Sequence, residues 1–253
     1  MPSKRLTLST KMPDKRPAST APRTDQAIIT TQSLCRYYGD DEHNKVKAVD
    51  NISIEIRPAE FTAIVGPSGS GKTTLLHLLG GLDDLTSGSV ELAGTNIADM
   101  SGAQLADFRR DHIGFIFQAY NLIPVLSAAE NIEYIMLLQG INNNTRKQRV
   151  EQMLAQVGLQ GLGNRRPNKL SGGQQQRVAI ARAMASKPDI ILADEPTANL
   201  DSKTGIALLD LMKTLNETNN ITFVFSTHDE KIMSRASRLI HIQDGQVIKD
   251  ENR

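Results

Sequence analysis

Nine residues, "GPSGSGKTT" from Gly66 to Thr74, constrain this chain more than any other stretch. They close "FTAIVG", a short and nearly all-apolar run of the kind that forms a strand buried on both faces, and they open a helix expected from about Gly71 to Leu79. A Gly-rich turn in that setting, ending in Lys and Thr, is a phosphate loop. Its glycines let successive backbone N–H groups turn inward around phosphate oxygens, with the positive end of a helix behind them. Gly66, Pro67, Ser68, Gly69, Ser70, Gly71, Lys72, Thr73 and Thr74 are therefore candidate nucleotide-binding residues. Lys72 can reach the β and γ phosphates and the Thr73 hydroxyl can ligate Mg²⁺. An ordinary Gly/Ser turn would explain the glycines but neither Lys72 nor Thr73.

The runs around this loop set the fold class. "AIITTQSLCRYY" and "NISIEIR", with Ile52, Ile54 and Ile56 alternating, read as antiparallel strands. "IGFIFQ", "DIILADE" and "ITFVFS" read as buried strands that alternate with helices, which implies an α/β fold with a mostly parallel sheet. "RLIHIQDGQVIKD" places Asp244 and Gly245 where a tight hairpin turns. Between Gln118 and about Gln174 the period becomes helical. Ser127 with Glu130, and Thr145 with Gln148, fit capping boxes, and Gly140 and Gly158 mark helix ends.

Length and charge narrow the classes. A chain of 253 residues supports one core with an insertion. With 29 Lys and Arg against 28 Asp and Glu there is no field that would steer it to DNA or RNA, so a nucleic-acid partner is not expected. Cys35 stands alone, which excludes an intrachain disulfide and fits a reducing compartment. No apolar run approaches membrane-spanning length, and a cytosolic chain is expected. Residues 1–27, with six Lys or Arg against two Asp, read as a disordered basic tail, either a solvated extension or a weak attraction to an anionic membrane surface.

Two further stretches belong with the phosphate loop. "IILADE" is an apolar strand ending in Asp194, suited to hold Mg²⁺ through water, and Glu195, suited to polarise an attacking water. "LSGGQQQRVAIARA", from Leu170 to Ala183, begins a helix that Ser171 and Gln174 can cap. Capping does not require Gly172 and Gly173, which cost roughly 1 kcal/mol each in a helix unless the backbone approaches something closely. An exposed helix start with two glycines and a hydroxyl suits an anion such as a γ-phosphate.

On these motifs the chain resembles the nucleotide-binding subunit of an ATP-binding cassette transporter over about residues 29–247. "FIFQ", ending at Gln118, is similar to that family's Gln loop, "LSGGQ" to its signature, "ANLD" ending at Asp201 to its D-loop, and "STHD" to the segment holding its switch histidine, here His228. The resemblance implies a RecA-like core over 28–253, with an antiparallel β subdomain and a helical subdomain inserted at about 118–179. It implies hydrolysis of ATP with Mg²⁺, in a homodimer where Ser171, Gly172, Gly173 and Gln174 cap the nucleotide held by the partner's phosphate loop. Gln118 would sense Mg²⁺ or the attacking water, and also be a metal ligand; His228 would contact the γ-phosphate; Asp201 would link the two sites. An aromatic stacking on adenine is expected as well: Tyr38, with Tyr37 as its neighbouring competitor. His43, His77, His112 and His241 lack metal-ligand spacing and read as structural.

The implied partner is an integral membrane permease, with this chain peripheral on the cytoplasmic face of the inner membrane. "FQAYNLIPVLSAAENI" and "SGGQQQRVAIARA" most resemble the macrolide-exporter, lipoprotein-release and cell-division group, although Ala198 stands where that group more often has Gly. A mechanical or signalling role of the cell-division type remains the alternative. A DNA-repair ATPase would carry long coiled coil between Thr74 and Ile190, and a ribosome-associated one two cassettes. Tyr120, Leu122, Ile123 and Pro124 place apolar surface beside Gln118, where a permease helix would dock, with Leu122 and Ile123 equally able to pack inward.

Overall fold

A computed structural model of the chain describes residues 26–39 and 44–253. The basic tail up to residue 25, and His43, lie outside the described residues. In chain order the elements are β1 (Ile29–Tyr38), β2 (Val46–Ile52), β3 (Glu55–Ile56), β4 (Phe61–Val65), α1 (Lys72–Leu79), β5 (Ser87–Leu92), β6 (Thr95–Asn96), α2 (Gly102–His112) and β7 (Ile113–Ile116). There follow α3 (Ala128–Leu138), α4 (Asn143–Gln156), a single 3₁₀ turn at Pro167–Lys169, α5 (Gly172–Ala185), β8 (Ile190–Asp194), α6 (Ser202–Asn219), β9 (Thr222–Thr227), α7 (Glu230–Met233), β10 (Arg238–Gln243) and β11 (Gln246–Asn252).

The strands form two sheets. One is antiparallel, in the order β2-β1-β5-β6 with β3 also on β1; the other has the order β11-β10-β4-β9-β8-β7 and is parallel from β10 to β7. Alternation along the parallel strands sorts residues into two cores. Phe61, Ala63, Val65, Ile191, Ala193, Phe223 and Phe225 face α3 to α7, and this cluster runs without a break into Ile132, Met136, Met153 and Leu154 of the helical layer. Ile64, Ile190, Leu192, Val224, Ile240 and Ile242 face α1, α2 and the antiparallel sheet. Such a sheet, covered on both faces, needs the near-continuous apolar runs that the sequence supplies.

Local chemistry sets most boundaries. The β10–β11 hairpin turns at Asp244 and Gly245, with φ of 49° and 78°, the left-handed pair that the Asp-Gly dipeptide favours. Ser127 caps α3 in a capping box with Glu130. Helix α4 corrects one expectation: its N-cap is Asn142, whose Oδ1 accepts from the Thr145 N–H at 3.0 Å, so Thr145 sits inside the first turn. Asn caps at least as well as Thr and lies one turn earlier, so the helix starts there. Gly140 and Gly158 end α3 and α4 with φ of 71° and 69°, and the Ile141 and Leu159 N–H groups reach back to Met136 and Leu154 carbonyls. Ile52, Ile54 and Ile56 are all buried as their alternation requires, but not on one strand: Ile52 ends β2 and pairs with Leu34 in the middle of β1, Ile56 ends β3 and pairs with Ile29 at its start, and Ile54 lies between. Helix α2, capped by Ser101 and Gln104, has no counterpart in the sequence reading.

Candidate functional site

Strands β4, β8 and β9 lie side by side and parallel, so the loops at their carboxyl ends converge on one crevice. The loop after β4 is backed by other backbone of the same chain. A Cβ on Gly71, whose φ is 100°, would overlap the Ala48 carbonyl of β2, and one on Gly66 would overlap the Ile242 carbonyl of β10. The Gly245 N–H of the hairpin donates to Ser70 O at 3.1 Å. Lys72 is 7 % exposed and donates from Nζ to the Gly66 and Pro67 carbonyls at 2.9 and 2.8 Å, keeping the loop curled around its ammonium. Pro67, Ser68, Gly69 and Thr73 are exposed, Thr74 half-buried, and the buried Ser70 Oγ has no hydrogen-bond partner.

From β8 come the two acids. Asp194 Oδ1 accepts from Thr73 Oγ1 at 3.0 Å, so a hydroxyl from the first turn of α1 and a carboxylate from the end of β8 share one point. Hard oxygen donors in that pairing suit Mg²⁺, and an orphaned serine hydroxyl in a Gly-rich loop at a helix start suits a phosphate. The donor set therefore fits a magnesium nucleotide. Glu195 follows with φ of 43°, a left-handed conformation unusual for a residue with a long side chain, which costs on the order of 1 kcal/mol or more. Its N–H donates to Ser226 O at 2.9 Å, its Oε2 accepts from Thr227 Oγ1 at 3.2 Å, and its Oε1 lies 2.6 Å from His228 Nδ1. Both carboxylate oxygens are thus oriented by the end of β9. The Glu195 side chain is 15 % exposed and that of His228 72 %, so the acid is set in the wall and the imidazole stands in the opening.

Gln118 is exposed beyond the end of β7. Its backbone carbonyl accepts from Asn199 Nδ2 at 2.9 Å, which ties it to the loop after β8, but among the described residues its side chain makes no hydrogen bond to Thr73 or Asp194. Asp201 caps α6: Oδ1 accepts from the Lys203 and Thr204 N–H groups and Oδ2 from Thr204 Oγ1 at 2.6 Å. The Thr204 hydroxyl, then these N–H groups, hold its carboxyl below the usual carboxylate range. A cleft of about 540 Å³ joins Glu195 and His228 to Asp201, with Lys231 on its wall.

Ser171 and Gln174 form the expected capping box on α5, with Ser171 exposed. Among the described residues neither bonds to the phosphate loop. Part of the close approach that the glycines permit lies within the chain: a Cβ on Gly173 would overlap Thr204 Cγ2, and one on Gly172 would sit 2.8 Å from Tyr120 Oη. Of the two tyrosines, Tyr38 is 40 % exposed, donates to Asp83 Oδ2 at 2.5 Å and carries the Arg36 guanidinium 4.6 Å from its ring centre. Tyr37 is half-buried and donates to Asp50 Oδ1 at 2.5 Å; this bond raises the pKa of the phenol. His112 pairs with Asp189 at 2.6 Å and stacks on Phe108, and His241 pairs with Glu251. Thr227, Asn199, Gln176 and Arg182 complete the site's support and escape the sequence reading; polar Gln176 on the apolar face of α5 was the available signal.

Comparison with known proteins agrees with this geometry. The family described as "ABC transporter" matches residues 49–198. An uncharacterised ABC transporter ATP-binding protein of Thermotoga maritima is 47% identical over 83% of this chain and 89% of its own. The macrolide export ATP-binding/permease protein MacB of Mannheimia succiniciproducens is 44% identical over 88% of this chain; the match spans 34% of MacB, so the chain corresponds to about a third of that relative. The dimeric, post-hydrolysis structure of the ATP-binding cassette MJ0796 with ADP and Pi has a TM-score of 0.81 at 41% identity, covering 88% of this chain and 98% of that one. With the phosphate loop, the Asp194–Glu195 strand end and this likeness in place, the chain belongs to the ABC transporter family, as one of its ATP-binding ATPase cassettes.

Proposed function

We propose that this chain is the energising subunit of a membrane transport complex of the macrolide-exporter and lipoprotein-release type, and that it hydrolyses MgATP in an ATP-closed homodimer. The observation that carries the reading is the meeting of the Thr73–Asp194 and Glu195–His228 pairs at the ends of adjacent strands beside the phosphate loop. In this reading Gly66 to Thr74 bind the phosphates, with Lys72 turning from its own loop carbonyls to the β and γ oxygens. Thr73 and Asp194, joined by Gln118, hold Mg²⁺, which when bound neutralises phosphate charge. Glu195, fixed by Thr227 and His228, orients and polarises the attacking water, so catalysis rests on positioning and charge rather than on a covalent step. Ser171 to Gln174 face the partner's nucleotide, consistent with Ser171 standing exposed and apart from its own phosphate loop. Asp201 and the cleft beside it lie at the subunit junction, and Tyr38 stacks on adenine.

A membrane partner follows from similarity to proteins named for both ATP binding and permease function. Among the described residues no helix is long and apolar enough to cross a membrane. In this reading the chain works peripherally, on the cytoplasmic face, through a permease. Its contact is the apolar surface on and before α3: Ile123, Val125, Tyr134, Leu137 and Leu138 are exposed, while Leu122 packs into the core. A mechanical or signalling complex would use the same cycle with a different load.

The test is Glu195→Gln. It should bind ATP with unchanged affinity, slow phosphate release by 100-fold or more, and elute as a dimer with ATP and as a monomer with ADP. Mixing Lys72→Ala chains with Ser171→Arg chains should restore part of the activity that each lacks alone. Wild-type turnover by Glu195→Gln would remove the assignment of Glu195, and no restoration on mixing would remove the trans arrangement.

A further inference from the structure

The loop that carries Gln118 is held in a way the proposed cycle does not use. Each carbonyl from residue 117 to 121 has a donor. Phe117 O accepts from the Tyr120 N–H at 3.2 Å and from Gln176 Nε2 at 3.4 Å, Gln118 O from Asn199 Nδ2, and Ala119 O from the Asn121 N–H at 2.6 Å. Tyr120 O and Asn121 O both accept from one guanidinium, that of Arg182, through Nη2 at 2.9 Å and through Nη1. Tyr120 and Asn121 have φ of 60° and 49°, and two successive left-handed residues turn their carbonyls toward the same fork. A Lys ammonium lacks that planar pair of donors.

Arg182 is half-buried, and among the described residues it faces no carboxylate. Desolvation lowers its pKa accordingly. A cation placed on neutral carbonyls is poorly compensated, and two left-handed residues add strain, so this arrangement is not the most stable way to close a loop. Its geometry has another use. Arg182 and Gln176 are on α5, the helix that Ser171 starts, and Arg182 lies about 16 Å along it at 1.5 Å per residue. Gln176 Nε2 also donates to Pro196 O at 2.8 Å, next to Glu195. At the near end of the helix, Gly172 leaves room for the tip of the Tyr120 ring. The Gln118 loop is therefore fastened to α5 through two side chains, Gln176 and Arg182.

We propose that Arg182, assisted by Gln176, is a positioning residue for Gln118: it makes the Gln118 loop and the Ser171 helix one rigid piece, so that the Ser171 end cannot be displaced by a nucleotide across the junction without moving Gln118 at its own site. The proposal rests on the assignment of Gln118 to the ATPase site. Arg182 acts through the loop and touches no nucleotide.

The experiment uses the full chain and compares Arg182→Lys, Arg182→Met, Gln176→Met and Gln118→Ala for ATP affinity, Mg²⁺ dependence and kcat. Arg182→Lys should bind ATP as the wild type does, while kcat falls on the order of 10-fold and the Mg²⁺ concentration for half-maximal rate rises. Arg182→Met should match it, because charge without the fork is not enough. Gln176→Met, which also removes an unpartnered buried carbonyl oxygen, keeps the test available if the Arg182 variants fail to fold, and should give a smaller fall in kcat. In the double variant Gln118→Ala with Arg182→Lys, or with Gln176→Met, the rate should equal that of Gln118→Ala alone. Full activity in Arg182→Lys, additive losses in the double variants, or losses in ATP affinity rather than kcat would overturn the proposal. Full activity in Gln118→Ala would instead overturn the Gln118 assignment beneath it.

Discussion

The contact between Gly173 and Thr204 gives a quantitative test of why glycine stands in the first turn of α5. In Gly173→Ala the new methyl falls well inside van der Waals distance of Thr204 Cγ2. That methyl cannot swing aside freely, because Thr204 Oγ1 is held by Asp201 Oδ2 at 2.6 Å and rotation about χ1 would break the bond. Overpacking of this kind costs about 1–3 kcal/mol, and the helix preference for Ala returns at most about 1 kcal/mol. The net expectation is a loss of about 1 kcal/mol, the middle of a range from about 0 to 2, and a fall of about 2–4 °C in melting temperature for a chain of this size. Gly172→Ala should be nearly neutral, since its Cβ meets only the movable end of Tyr120 at 2.8 Å. Thr204→Ser removes the obstructing methyl and keeps the hydroxyl on Asp201, so Gly173→Ala with Thr204→Ser should recover most of the loss relative to Thr204→Ser alone. Thermal melting of the four proteins without nucleotide reads this directly. Wild-type stability in Gly173→Ala, or no recovery with Thr204→Ser, would refute the packing argument and leave the partner's nucleotide as the sole reason for Gly173.

Lys72→Ala should reduce ATP turnover by 100-fold or more while circular dichroism stays native, since the loop is backed by β2 and the hairpin as well as by Lys72. Arg238→Met should lower stability by about 2 kcal/mol, read as a shift in urea midpoint: the side chain is 13 % exposed and leaves Asp250 and Glu60 without their partner. The Asp201 carboxyl has a folded pKa below its unfolded value of about 3.9, so its contribution is present above that pH and is lost as pH falls through the folded value. The stability gap between wild type and Asp201→Asn should therefore narrow on acidification below about pH 4, and a gap that widens there would contradict the sign. Leu137→Glu on α3 should weaken co-purification with an added permease while the isolated subunit keeps its ATPase rate, with Ile248→Glu on β11 as the control that leaves both unchanged.

Features written in contiguous residues were legible in the sequence. The strand-loop-helix around Lys72, the acids ending β8, the Asp244–Gly245 hairpin and the capping box at Ser171 each depend on neighbours within a few positions. Helix α2 was missed although Ser101 and Gln104 have the same capping spacing, because Phe108 alone is buried and no apolar stripe marks the helix. The Thr145–Gln148 spacing matches a capping box by itself, while the Asn142 cap has no Glu or Gln three residues on to mark it. The support of the site was illegible for a different reason. Gln176 and Arg182 bond to backbone carbonyls 59, 61 and 62 residues away, and a carbonyl has no identity in a sequence. The pairing of Thr73 with Asp194, by contrast, could be inferred because both side chains belong to recognisable motifs.

The backing of the phosphate loop by β2 and the β10–β11 hairpin bears on where ordering occurs when nucleotide arrives. Residues whose backbones already abut Ala48, Ile242 and Gly245 surrender their conformational freedom when the chain folds, not when phosphate binds. Association at this loop is thus spared much of the entropic penalty that a floppy anion loop would meet. The group still free to become ordered is beyond the end of β7, where the exposed Gln118 side chain makes no hydrogen bond among the described residues. In the proposed cycle the rigid wall would fix where the phosphates rest, and the free Gln118 side chain would be left to register whether the terminal one is there.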